Sequence, residues 1–282
     1  RDRIGIRPLY FTITQDRLYF ASEIKALFTI PDISREFDPQ GLAETFTFWG
    51  PVDPQTVFEG VYQLPPGHYA VSKKAGFKSY SYWELEFPEK GREENQDLKE
   101  NIDELKNLLI DAVRLRFTRS DVPVGAYLSG GIDSSITASL ISRYSKNPLK
   151  TFSIRFSDQN YDEGSFQDEM VRRLGTEHES LDVSYQDIAS VFPDVLKHAE
   201  RPLLRTAPAP LFFLSRLVRN NGYKVVVTGE GSDEVFGGYD LFKELRARLM
   251  LSRHPESKIK DYIFGQLYPW MDRSPLSNPA VA

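Results

Sequence analysis

The residues best suited to chemistry lie in a small, acidic turn that follows an apolar run. Val122 to Ser135 reads Val-Pro-Val-Gly-Ala-Tyr-Leu-Ser-Gly-Gly-Ile-Asp-Ser-Ser. Val124 to Leu128 has the character of a buried strand, and Ser129-Gly130-Gly131 breaks it. Asp133, Ser134 and Ser135 then open a helix expected over Ile136 to Tyr144. A strand, a glycine turn and a helix start together offer an anion backbone N–H groups, the positive end of a helix dipole and hydroxyl donors. Glycine lets the backbone approach a phosphate with no side chain between them. Asp133 repels a bare phosphate. It fits if a divalent cation lies between, because Mg²⁺ takes carboxylate and phosphate oxygens together. The Lys of a Gly-x-x-x-x-Gly-Lys-Ser/Thr loop is missing, so this is a different phosphate loop. Ser-Gly-Gly alone equally suits an ordinary capped turn; the full run Ser129 to Ser134 behind a strand is more specific.

A second loop repeats the pattern. Tyr223 to Thr228, with Val225-Val226-Val227, reads as a continuous apolar strand suited to a parallel sheet. It runs into Thr228-Gly229-Glu230-Gly231-Ser232-Asp233-Glu234 and then Phe236-Gly237-Gly238-Tyr239. The alternative reading is a solvated acidic turn. Location argues for a site, since two strands of one expected sheet end in glycine-rich acidic loops at the edge where ligands bind. That placement would let Asp133 and Asp233 share Mg²⁺ on a pyrophosphate, with Glu230 facing a reacting carboxylate or an incoming amine.

The elements that must carry these loops follow from periodicity. Residues 1 to 87 read as β-rich. Leu9 to Ile13 and Arg17 to Ala21 flank Thr14-Gln15-Asp16 as a hairpin, and Asp38 caps a short helix through Phe46. Pro65-Pro66-Gly67 and Lys73 to Gly76 read as turns, and Phe77 to Trp83 as a strand. Residues 88 to 97 form a polar connector, taken as the domain boundary. Beyond it, helical spacing from Leu98 to Leu115 precedes the Val124 strand. A strand at Thr151 to Phe156 follows, with helices over Asp162 to Leu174, Tyr185 to Ala199 and Pro210 to Asn220. This alternation argues a doubly wound, mostly parallel α/β sheet.

Composition bounds the rest. The chain has 282 residues, enough for one large or two modest domains, and a net charge of −5, which gives no electrostatic reason to expect nucleic acid. It has no cysteine, so no thiolate nucleophile, disulfide or Cys-metal site; this is compatible with the cytoplasm. No apolar run approaches the roughly 20 residues needed to span a bilayer, so no membrane partner is expected. The start at Arg1, without Met, reads as mid-domain and suggests a fragment.

The Ser129 to Ser134 run resembles the Ser-Gly-Gly-x-Asp-Ser pyrophosphate loop of the ATP pyrophosphatases. With Phe152-Ser153-Ile154, Leu174-Gly175-Thr176-x-His178, Leu214-Ser215-Arg216 and Thr228 to Tyr239, it resembles the synthetase domain of glutamine-hydrolysing asparagine synthetases. Arg1 to Tyr10, Ala21 to Leu27 and Leu64 to His68 are similar to the end of that family's glutaminase domain.

The resemblance implies a PP-loop α/β domain over 98–282, preceded over 1–87 by the β-rich C-terminal part of a class II glutamine amidotransferase. It implies that ATP adenylylates aspartate, releases pyrophosphate, and leaves a β-aspartyl-AMP for ammonia from glutamine to attack. It further implies that Leu128, Ile154, Thr228 and Gly229 line the ATP site, that Ser129, Gly130, Gly131, Asp133 and Ser134 hold pyrophosphate, and that Asp133 and Asp233 bind Mg²⁺. Glu230 matches the position linked to forming the adenylate. A cytoplasmic enzyme, in the form of a homodimer, is the corresponding expectation.

Departures qualify this. The family's N-terminal nucleophilic Cys is missing, so the chain as given is expected not to hydrolyse glutamine. Where several members carry Arg-Ala-Ser-Thr-Pro, this chain has Arg205-Thr206-Ala207-Pro208-Ala209-Pro210, which makes Arg205 and Thr206 candidates for the acceptor carboxylate and opens its identity. A sugar acid, a peptide or a β-lactam precursor is the alternative acceptor, and a non-catalytic nucleotide-binding remnant is the alternative role. Glu200-Arg201-Pro202 is read as preceding a wall of the substrate pocket. His178 is read as structural, and Arg114, Arg116 and Arg119 as a solvated helix face rather than a phosphate funnel.

Overall fold

The computed structural model describes residues 1–259 apart from 75, 90, 93–96 and 145–147, together with 262–263 and 266–267. The chain divides into two compact units. The first holds residues 1–109, 154–162 and 180–222; the second holds 110–153, 163–179 and 223–282.

The N-terminal part opens with the expected hairpin, β1 (Tyr10–Thr14) and β2 (Arg17–Ala21). Gln15 and Asp16 alone make the turn, both at positive φ (48° and 58°), so Thr14 joins the ladder opposite Arg17. Two positive-φ residues suit the twist of an antiparallel hairpin. A short helix α1 (Ile24–Leu27) buries Ile24 and Leu27 with Ile33 and Val61. In α2 (Pro39–Phe48), the Asp38 carboxylate accepts the N–H groups of Gln40 (2.8 Å) and Gly41 (3.0 Å), and Pro39 occupies the first turn, where it costs no hydrogen bond. β3 (Tyr62–Gln63) pairs with the other side of β1, and β4 (His68–Lys73) pairs antiparallel with β5 (Gly76–Ser81).

α3 (Leu98–Thr118) follows, as its spacing predicts, but Leu98, Ile102 and Leu108 on its N-terminal half are exposed. Then come β6 (Val124–Tyr127), α4 (Ile132–Tyr144), β7 (Lys150–Phe156), α5 (Gly164–Leu174) and β8 (Glu177–Val183). α4 starts at Ile132, four residues before its expected start, because the Gly131 carbonyl already accepts the Ser135 N–H at 3.1 Å. β8 was not anticipated. Its residues, Glu-His-Glu-Ser-Leu-Asp-Val, are mostly polar, and only Val183 is fully buried. α6 (Tyr185–Ala199) and α7 (Pro208–Asn220) come next, then β9 (Val225–Val227), a short α8 (Ser232–Phe236) and α9 (Asp240–Arg253). α7 begins two residues before the predicted Pro210 because Pro208 is itself tolerated in a first turn. Neither α8 nor α9 was anticipated.

The sheet has the order β8-β7-β6-β9, with β6 parallel to both β7 and β9. The expected parallel α/β sheet is therefore present. The chain moves outward from β6 to β8 and then returns to the far side of β6. That reversal makes a topological switch point at the carboxyl ends of β6 and β9, where open α/β sheets bind ligands.

In the second unit, Val124, Ala126 and Leu128 from the β6 segment meet Val227, Ala138 and Ile141, with Val113 alongside. Burying each large aliphatic side chain contributes about 1.5–3 kcal/mol. In the first unit, Val183, Val191, Val195, Ala209 and Phe213 form a separate core, against which Ile154 packs.

Candidate active site

The register between β6 and β9 brings the two loops together. Val124 faces Val225, Gly125 faces Val226 and Ala126 faces Val227. The ladder therefore delivers Leu128 and Gly229 level with one another, and both loops leave the same edge. They touch: a Cβ on Gly229 would sit 3.0 Å from Asp133 Cβ and 3.2 Å from the Ser134 nitrogen. A side chain there would force the second loop a few tenths of an ångström away from the start of α4.

The first loop is braced from within. Ser129 N–H donates to Ser134 Oγ (3.2 Å), the two hydroxyls share a hydrogen bond (2.9 Å), and Gly131 N–H donates to Ser129 Oγ (3.2 Å). Ser134 Oγ also donates to the Gly131 carbonyl (3.1 Å). Gly130 has φ +86°, and a Cβ there would lie 2.7 Å from Phe166 Cβ. The turn thus needs glycine twice over, for its dihedral and for the close approach of α5. Behind the loop, Leu128 N–H donates to the Phe152 carbonyl at 3.0 Å, and Ser153 Oγ bonds the Leu128 carbonyl. The opening amides of α4 have no carbonyl four residues back within the helix, so they are directed at whatever occupies the turn.

The second loop folds on itself. Ser232 N–H and Oγ both donate to the Gly229 carbonyl (3.2 and 2.7 Å), and Glu230 N–H donates to Thr228 Oγ1 (3.3 Å). Gly238 lies directly against the Asp233 carboxylate, and its N–H donates to the Asp233 carbonyl at 2.9 Å. Tyr239 hydroxyl donates to Glu234 Oε1 at 2.7 Å. That bond, with the charges of Asp233 and Glu230 nearby, pushes the phenol up to about 12. Tyr239 is thus a proton-bearing donor at the acidic loop at neutral pH.

Leu128, Ser129, Gly130, Gly131, Asp133, Ser134, Thr228, Gly229, Glu230 and Asp233 all fall in the second unit, on or beside these two loops. Ile154, at the far end of β7, belongs to the first unit. Arg205 and Thr206 also lie in the first unit, and the Arg205 guanidinium carbon stands 3.6 Å above the Trp49 ring. Among the described residues no three His, Cys, Asp or Glu side chains gather into a metal cluster. Local spacing missed two supports, Phe166 and Gln167, which crowd Gly130 through the fold; Ser153, Glu234 and Tyr239 stood within the quoted runs, but their hydrogen bonds were not foreseen. His178 Nδ1 bonds Thr151 Oγ1 (2.9 Å), which also bonds Thr176 Oγ1 (3.0 Å), a structural chain between β7 and β8. Arg114 pairs with Asp111 at 2.6 Å on the solvated face of α3.

Glycine-rich loops that meet beyond the carboxyl ends of two adjacent parallel strands define an α/β protein of the phosphate-loop class. Residues 104–276 match the family model described as Asparagine synthase, and residues 1–83 match that of a Glutamine amidotransferase domain. The chain belongs to the asparagine synthase family. It is 36% identical over 258 residues to "Amidase chry2" of Gibberella zeae, covering 86% of this chain and 38% of that protein. It is 34% identical over 245 residues to "Asparagine synthetase [glutamine-hydrolyzing] 1" of Bacillus subtilis, again covering 86% of this chain and 38% of the relative. A second Bacillus subtilis protein, "Asparagine synthetase [glutamine-hydrolyzing] 3", is 31% identical over 277 residues, covering 92% of this chain and 44% of its own length. The chain spans less than half the length of these curated relatives. Among solved structures, an NH3-dependent NAD synthetase from Campylobacter jejuni overlaps 49% of this chain and 60% of its own, at a TM-score of 0.35 and 19% identity. No helix among the described residues is long and apolar enough to cross a membrane.

Proposed function

We propose that the protein to which this chain belongs uses ATP to convert a carboxylate into an amide, with aspartate as acceptor and asparagine as product. A carboxylate oxygen attacks the α-phosphorus of ATP, and pyrophosphate leaves. The nitrogen of ammonia then attacks the acyl carbon, AMP departs and the nitrogen loses a proton. Activation is needed because a carboxylate repels nucleophiles and has no good leaving group.

The observation that carries this reading is the seat of Gly229 against Asp133 and Ser134. It joins a phosphate-type loop to an acidic loop at one sheet edge. In this reading Ser129 to Ser134 hold the pyrophosphate portion, Leu128, Thr228, Gly229 and Ile154 contact the nucleotide, and Glu230 serves adenylate formation. Asp133 and Asp233 would hold Mg²⁺. Two carboxylates suit an ion that usually takes one or two from protein and the rest of its oxygens from phosphate and water. The ion would neutralise charge on the leaving pyrophosphate. Glutamine is the proposed ammonia source, on the match of residues 1–83. We place the domain boundary at the connector 88–97, between 1–87 and 98–282, and the protein in the cytoplasm as a homodimer.

A second reading changes only the acceptor. Relatives named as amidases and as asparagine synthetases match at similar identity, 36% and 34%, and Arg205 is stacked on Trp49. The test is product formation by the full-length protein given ATP, Mg²⁺ and free ammonia, with and without aspartate. Aspartate-dependent AMP together with asparagine supports the first reading. AMP formed only with another carboxylate supports the second. ADP in place of AMP, or full turnover by Asp233→Asn, sinks both.

A further inference from the structure

The first unit, which holds neither loop of the candidate active site, contains a cavity of about 650 Å³. Sites that take small molecules run from about 300 to 1,000 Å³. Phe28, Phe37, Phe46 and Phe58 line it, with Phe192 and Leu196 of α6. The aromatic lining is preformed. Phe37 and Phe58 pair in an isolated antiparallel bridge, flanked by hydrogen bonds from Asp38 N–H to the Val57 carbonyl and from Glu59 N–H to the Glu36 carbonyl, both 3.0 Å. Their rings stack at 5.5 Å, and Phe28 meets Phe58 edge-on at 4.9 Å. Yet Phe37 is 59% exposed and Phe46 62%. Single exposed apolar side chains are ordinary, but several rings left wet around one cavity are the usual mark of a binding site.

The charged lining residues are Lys25, Lys197, Glu200 and Arg201. Glu200 is already engaged. Its carboxylate accepts the N–H groups of Ile24 (2.7 Å) and Lys25 (2.6 Å), and Lys25 Nζ stands 3.3 Å from it. The side chain is only 8% exposed, so this carboxylate is satisfied and Lys25 offsets its charge. Lys197 and Arg201 are exposed, and neither has an ion-pair partner among the described residues. A cation in the last turn of α6 complements the helix dipole, which by itself accounts for Lys197. That account does not reach Arg201, which lies beyond the helix end at Ala199. The cavity therefore joins an apolar, aromatic lining to two positive charges with no protein anion opposite them.

We propose that this cavity binds a small amphipathic anion, with an apolar body against the phenylalanines and a carboxylate or phosphate head on Lys197 and Arg201. A purely apolar ligand would use neither cation, and a bare inorganic anion would use none of the rings. Arg201 suits either head, because a guanidinium can give two parallel hydrogen bonds to a carboxylate or a phosphate. The site lies within one unit and does not rest on the proposed amidation.

The test titrates the full-length protein calorimetrically with decanoate, decyl phosphate and decanol, each below its micelle-forming concentration. The titrations are repeated on Phe46→Asp and on the double variant Lys197→Ala with Arg201→Ala, with thermal unfolding as the check that each variant folds. All three side chains are exposed, so folding should be retained. At least one of the two anions should bind saturably at one site, and the one that binds identifies the head. Decanol should bind about tenfold or more weakly than that anion. Phe46→Asp and the double variant should each weaken the anion by about tenfold or more. Equal binding of decanol and the anion, or an anion affinity unchanged in the double variant, overturns the charged head. An affinity unchanged in Phe46→Asp overturns the cavity as the site. Saturable binding of neither anion overturns the proposal outright. Sedimentation then reads what covers the cavity: a smaller species in Phe46→Asp than in wild type identifies a second copy of the chain as the occupant in place of a small molecule.

Discussion

Three glycines at the site stand where a side chain would be crowded. Gly130 supplies a left-handed turn under Phe166, Gly229 lets the second loop touch Asp133, and Gly238 makes room for the Asp233 carboxylate. Of these, Gly229 gives the sharpest prediction, because it is absent from the positive-φ residues and its demand is purely one of space. Gly229→Ala pushes the loops apart by a few tenths of an ångström, and overpacking of this kind costs about 1–3 kcal/mol. The expected outcome is ATP binding weakened about tenfold with Tm lowered by a few degrees, read by calorimetric titration alongside thermal unfolding. Binding at wild-type strength would show that the contact between the loops does not shape the nucleotide site.

Helix ends show how closely local chemistry tracks structure here. Ser184 caps α6 by accepting the Asp187 N–H at 3.2 Å, and the Asp187 carboxylate accepts the Ser184 N–H in return at 2.9 Å. The Ser184 hydroxyl, and then its backbone N–H, hold the Asp187 carboxyl below its ordinary value of 3.8. The sign follows from this. A depressed carboxyl stabilises the fold at pH above its ordinary value, and that stabilisation fades as pH falls through the depressed one. Ser184→Ala should cost about 1 kcal/mol in urea unfolding at neutral pH. Its difference from wild type should shrink as the medium is acidified below the usual carboxylate range. A difference that stays constant down to strongly acidic pH would mean that the reciprocal cap is not formed in solution. The α6 boundaries were legible in sequence because this cap is local; β8 was not, because its ladder partner is β7 and its polar residues carry no apolar alternation.

At the scale of the molecule, the sheet is what holds the site. Phe152 on β7 is fully buried, lies against Gly125 of β6 closely enough that a Cβ there would be 2.8 Å from its ring, and meets Tyr223 edge-on at 5.6 Å. Its carbonyl also accepts the Leu128 N–H that starts the first loop. Phe152→Ala should destabilise the protein by about 3–5 kcal/mol in chemical unfolding. A loss under about 1 kcal/mol would mean that β6 and β7 are not packed through this ring. The compact units do not follow the chain end to end. Their division falls inside β7, between Ser153 and Ile154, and inside β8, between Glu179 and Ser180, so residues 180–222 cluster with the first hundred residues.

The sequence by itself determined the two loops, the strands that lead into them and most of the α/β order, β8, α8 and α9 excepted, because each of these rests on neighbours within a few residues: glycine for a turn, a carboxylate or hydroxyl for a cap, apolar runs for buried strands. Tertiary structure alone decided that β9 returns beside β6 and so brings Gly229 against Asp133. It also decided that Glu200 grips amides 175 and 176 residues away and that Arg205 faces Trp49. Strand order and long-range pairing depend on which distant surfaces bury each other best, and that balance is summed over the whole chain rather than written in any one stretch of it.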